Sequence, residues 1–99
     1  MDMINKYTRN DIDKAVCKIF PDEPKGCILD LLNYYGTENY EYEKERVQLA
    51  ILKLSQGDTN KLLLNIKLSK EDYRDVLYLA EYDKDGKQIL NPYQELIGH

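Results

Sequence analysis

The chain has a single histidine, two cysteines, one phenylalanine and no tryptophan among its 99 residues. The histidine, His99, is the last residue, and a terminal imidazole gives no held base for a Ser–His or Cys–His pair. Cys17 and Cys27 form no CxxC pair and have no histidine nearby, so the count excludes a Cys/His metal centre. Glycine is equally thin. "LSQGD" at 54–58 holds one glycine, whereas phosphate-cradling loops need several. No run of Lys and Arg forms the stripe that neutralises a phosphate backbone, which argues against nucleic acid. The longest apolar runs, such as "LLL" at 62–64, are far too short to span a membrane. These absences leave no expected catalytic residue, cofactor or metal ligand.

What is present is charge, apolar residues at helical spacing, and tyrosine. Charged residues make up 32% of the chain and apolar ones 42%, with a net charge of −4 spread along its length. That balance suits helices with one buried stripe and a broad solvated face. The start, "MDMINKYTRN", lacks the basic end and apolar segment of an export signal. The expectation is a cytoplasmic protein in which both thiols stay reduced and serve as small buried apolar groups.

The periodicity predicts an all-α, single-domain bundle of four main helices, with a core over about 10–82 and a loosely structured tail over 83–99. Ile12, Ala15, Val16, Ile19 and Phe20 define a first helix over 10–20, with Thr8 or Asn10 as N-cap and Pro21 as its stop. A second runs over about 24–35, closed by Gly36 in the left-handed C-terminal position. "EYEKERVQLAILKLSQ" at 41–56 is apolar on two sides, as expected of a helix buried between neighbours. Asp58 caps a short helix to about Leu68. Ser69 then caps a last one to about Tyr82, with "SKED" resembling a capping box. One helical turn is expected after Pro92. A rival reading turns "LYLAEYDKDGKQIL" into a β-hairpin about Asp85–Gly86. "DKDG" also resembles a calcium loop, but with Gly86 at the sixth position Pro92 falls where a bidentate Glu is required. It is read as a turn.

Two groups of residues invite a functional reading. Asp72, Arg74, Asp75 and Glu81 bring carboxylates and a guanidinium onto one helix, and paired carboxylates serve as acid and base when their environments differ. Helix capping and ion pairing explain them more simply, since negative charge is favoured in a first turn. The second group is aromatic. Four of the nine tyrosines fall in "NYYGTENYEYEKE", among glutamates. Tyrosine gives a large contact area at low entropic cost. Tyr34, Tyr40, Glu41, Tyr42 and Glu45 are therefore the candidate partner-binding residues, suited to a basic protein.

The segments "ERVQLAILKLSQGD" (45–58) and "DYRDVLYLAEY" (72–82) resemble those of a family of short, functionally uncharacterised bacterial proteins. The resemblance covers about residues 34–82. It implies a helical bacterial protein in which Arg46, Gly57, Asp58, Tyr73, Arg74 and Asp75 serve the shared frame, and it brings no active site. The resulting expectation is a non-enzymatic interaction module, in its sharper form an acidic, immunity- or antitoxin-like partner that masks a basic protein. A homodimer is compatible with it. The competing expectation is a small-ligand binder or enzyme built on Asp72, Arg74, Asp75 and Glu81.

Overall fold

A computed structural model describes residues 7–39 and 41–98. It is all-α: α1 (Arg9–Ile19), α2 (Lys25–Leu32), α3 (Lys44–Ser55), α4 (Thr59–Glu81) and a single turn, α5 (Gln94–Ile97). Among the described residues, four main helices and one docked turn make up the fold.

Thr8 opens α1 with a reciprocal capping box. Asp11 N donates to Thr8 Oγ1 at 3.3 Å and Thr8 N donates to Asp11 Oδ2 at 3.0 Å. The apolar stripe then buries Ile12, Ala15 and Val16 completely. Helix α2 stops at Leu32, three residues before the expected end, and Gly36 (φ 105°) turns the chain toward α3. A Cβ on Gly36 would lie 2.6 Å from Lys44 Cγ, so both the conformation and the space call for glycine.

Helix α3 is the central helix that its two-sided pattern implies. Val47, Leu49, Ala50, Ile51, Leu52 and even Gln48 are all fully buried. Gln48 stitches three elements together. Its amide nitrogen donates to the Leu32 and Tyr35 carbonyls at 3.0 and 3.1 Å, tying the end of α2 and the turn after it to α3. Its carbonyl oxygen accepts from Arg9 Nη1 at 2.7 Å.

Helix α4 packs chiefly on α3 and differs from the expectation in where it breaks. The two predicted helices are one element whose backbone leaves helical angles at Asp72 (φ −160°, ψ 98°), not at Ser69. The physical reason lies in the side chains. Ser69 Oγ donates backward to the Asn65 carbonyl at 2.7 Å, which turns the hydroxyl away from the N–H groups ahead that a cap accepts from. Asp72 Oδ1 accepts from Arg74 N at 3.0 Å, which is the geometry of an N-cap over the second half. The residue expected third in a first turn is itself the cap.

After α4, the 83–86 segment is a turn in which Asp83 Oδ1 accepts from Asp85 N and Lys87 N. The hairpin reduces to one isolated antiparallel bridge, Tyr82 to Gln88. The following residues are mostly irregular, with one helical turn after Pro92, yet they are docked. Tyr93 and Leu96 join the main core. Cys17 and Cys27 are both exposed free thiols, which corrects the expectation that they are buried. No helix among the described residues is long and apolar enough to cross a membrane.

Candidate functional site

The four charges considered together in the sequence lie in two unrelated settings. Arg74 folds back on its own helix, its Nε 3.0 Å from Asp72 Oδ1 and its Nη2 3.3 Å from Asp72 Oδ2. That pair is exposed, with Arg74 holding the Asp72 carboxyl below the usual carboxylate range. Asp75 is exposed beside it. Glu81, one end of the helix away, is 4% exposed and meets different partners.

Glu81 is held on both carboxylate oxygens. Arg46 grips it from α3 in a fork, with Nε 2.8 Å from Oε2 and Nη2 2.5 Å from Oε1. Tyr93 donates its hydroxyl to Oε2 at 2.6 Å. Burial alone raises the Glu81 pKa. The hydrogen bonds from Arg46 and Tyr93, together with the charges of Arg46 and Lys53, outweigh burial and hold it below the ordinary value. Burial and the neighbouring carboxylate push the Tyr93 phenol far up, so it stays a donor. Lys53 Nζ lies nearby, donating to the Ala80 carbonyl at 2.6 Å. A carboxylate kept ionised and bound on both oxygens serves as an anchor and is poorly suited to exchange a proton.

The tyrosine–glutamate surface also divides. Glu41 turns inward, and only 2% of its side chain is exposed. Its Oε1 accepts from the successive backbone N–H groups of Gly36, Thr37 and Glu38 at 2.8, 3.0 and 3.2 Å. Its Oε2 accepts from Lys70 Nζ at 2.7 Å. Burial acts to raise its pKa, and the Lys70 and backbone donors prevail and lower it. Glu41 thus ties the loop that leads into α3, and the reading of it as a surface acid facing a basic partner is corrected. Glu45 has 18% of its side chain exposed and pairs with Arg9 at 3.5 Å, while Glu43 pairs with Arg46 at 3.0 Å. Tyr40 lies outside the described residues, as does His99.

Tyr34 and Tyr42 are each 60% exposed and line two neighbouring hollows that share Lys70 and Glu71. Tyr42 meets Tyr73 edge to face, ring centroids 6.3 Å apart, and Tyr73, one turn before the buried Val76 and Leu77, is half-buried against the core. The two line a shallow cleft of about 350 Å³ with Glu41, Lys70, Asp72 and Arg74. Every cation there already has a carboxylate partner. Tyr35, the neighbour of Tyr34, is fully buried and donates its hydroxyl to the Tyr42 carbonyl at 2.8 Å.

Tyr34 instead borders a groove of about 520 Å³ beside α4, floored by the buried Ile66 and flanked by Leu63, Lys67, Lys70 and Glu71. Leu63 is 47% exposed and Leu64 55%. Spacing groups Leu63 with Leu62 and Ile66 on the core side of this helix, yet only Leu62 and Ile66 are buried, and Leu63 faces outward with Leu64. The signal was the doublet of leucines flanked by Lys61 and Lys67, since a helix face with charge on both edges is a solvent-side face.

No group of three or more His, Cys, Asp or Glu among the described residues is arranged to hold a metal ion. No protein-family model matches this chain, and neither a curated protein nor a solved structure matches it. The class defined by fold and surface is a small all-α domain whose buried charges brace the fold.

Proposed function

We propose that this chain is a non-enzymatic helical interaction module whose contact surface is the Tyr34–Leu63 groove. The observation that carries the reading is an apolar groove open to solvent, with Tyr34 60% and Leu63 47% exposed, on a domain whose clustered charges are committed to internal pairs. Exposed leucines side by side with a tyrosine, rimmed by polar groups, are the usual composition of a protein contact. The pairing of Glu41, Glu43 and Glu45 weakens the acid-against-base version of the module and moves its contact from charge toward apolar surface. The small-ligand alternative loses its geometry because Glu81 is held apart from Asp72, Arg74 and Asp75. Membership of the bacterial family resembled by residues 45–58 and 72–82, and a cytoplasmic location, belong to the same proposal.

The test is a paired substitution, Tyr34→Ala with Leu63→Ala, against Asp72→Asn with Arg74→Gln. The groove pair should abolish co-purification of a partner from the native host while leaving the far-ultraviolet circular dichroism unchanged. Loss of the partner with the Asp72–Arg74 pair and retention with the groove pair would overturn the reading.

A further inference from the structure

We infer that residues 83–98 form a detachable strap, which opens as a unit while α1–α4 stay folded. The inference rests on how the strap is attached. It contributes Tyr93 and Leu96 to the core, with Ile97 partly buried against it and α5 packed on α1, whereas the other buried apolar residues of the core all come from residues 12–80. Between these anchors and α4 runs a mostly exposed hinge: 83–88 are all exposed, and Leu90 is 89% exposed. The hinge meets the end of α4 through the Tyr82–Gln88 bridge, in which the Ile89 N–H donates to the Glu81 carbonyl and the Asp83 N–H to the Lys87 carbonyl, each at 2.8 Å. A solvated hinge held by few hydrogen bonds, with its apolar anchors gathered in one short turn, is the kind of segment that opens locally.

The charge at the anchor decides whether opening is feasible. If Glu81 relied on the strap to compensate its burial, lifting Tyr93 would strand a buried carboxylate and the strap could open only with the whole domain. Its compensation lies in the body instead, because Arg46 of α3 holds both carboxylate oxygens. Lifting Tyr93 removes one hydrogen bond and one ring from this centre and leaves the ion pair intact. It also releases Tyr7, whose ring stands edge-on to Tyr93 at 5.6 Å, and Lys53, whose ammonium lies 5.8 Å from the Tyr93 ring centre.

Amide hydrogen exchange on the intact wild-type chain, followed by NMR across a series of sub-denaturing urea concentrations, tests this. The amides of Ile89, Leu96 and Ile97 report on the strap, and those of Leu49 to Ser55 on α3. Strap amides should exchange at least about tenfold faster than α3 and respond only weakly to urea, as an opening that exposes little surface must. Tyr93→Phe should speed strap exchange by about a further tenfold, the scale of one hydrogen bond to a charged group, with a smaller effect on α3. If strap and α3 amides fall on one urea-dependent line in the wild type, the strap opens only by global unfolding and the inference fails. That result stands whether or not the Tyr93 variant folds.

Discussion

Replacing Glu81 by glutamine probes the centre of the fold with almost no change of shape. The carboxylate is 4% exposed and receives three hydrogen bonds, two from Arg46 and one from Tyr93. Glutamine presents an NH₂ to one of those donors, so one oxygen's contacts are lost and the guanidinium faces a neutral group. Breaking a fully buried ion pair costs about 3–5 kcal/mol. Arg46 keeps 32% of its side chain in solvent and retains Glu43 at 3.0 Å, which places the cost below that range, at about 2–3 kcal/mol. In urea unfolding followed by circular dichroism, with a slope of about 1.5 kcal/mol/M, the midpoint should fall by roughly 1–2 M. Arg46→Met in the same cycle should show coupling of at least about 1 kcal/mol with Glu81→Gln. A midpoint shift corresponding to less than about 1 kcal/mol, or additive single changes, would refute the view that this pair braces α3 to α4.

Further outcomes follow from the same structure. Ile51→Ala, at a fully buried position in the middle of α3, should cost about 2–5 kcal/mol in the same assay, and a loss under about 1 kcal/mol would make α3 peripheral. Glu41 and Glu81 both have folded pKa values below the ordinary 4.5. A carboxylate depressed on folding contributes stability above its unfolded pKa and loses it as pH falls through the folded value. The urea midpoint should therefore drop on acidification below pH 4.5, with a shallower drop in Glu41→Gln; equal slopes would count against the Glu41 cradle. Cys17 and Cys27 should both react with a thiol reagent in the native state. Reaction only after denaturant is added would place them inside.

The helices were legible because their causes are local. Thr8 and Asp58 cap within three residues of themselves, and the Ile12–Ala15–Val16 stripe shows in its own spacing. The position of the α4 break was not, because Ser69 and Asp72 are both good caps and the choice depends on which side chain is already bonded elsewhere. The tail was legible as one turn after Pro92. Its docking was hidden because Tyr93, Leu96 and Ile97, spaced i, i+3, i+4, are too few to stand out as an amphipathic helix. The charges were the least legible. Glu41 and Glu45 look alike in sequence, and only the return of the chain at Gly36 turns one of them inward onto three N–H groups. Glu81 carried a usable signal: four residues after Leu77 and one after Ala80, it falls beside the buried arc of its helix, where a carboxylate needs a cation. Its partner, Arg46, is 35 residues away, and no local pattern names it.

The central claim is that the Tyr34–Leu63 groove is where this protein meets another. A photo-crosslinking amino acid placed at position 63, in the native host, tests it most directly when compared with the same group at position 85 in the exposed turn after α4. The account predicts a discrete protein adduct from position 63 and none from position 85. Equal adducts from both positions, or an adduct from the turn alone, would contradict it.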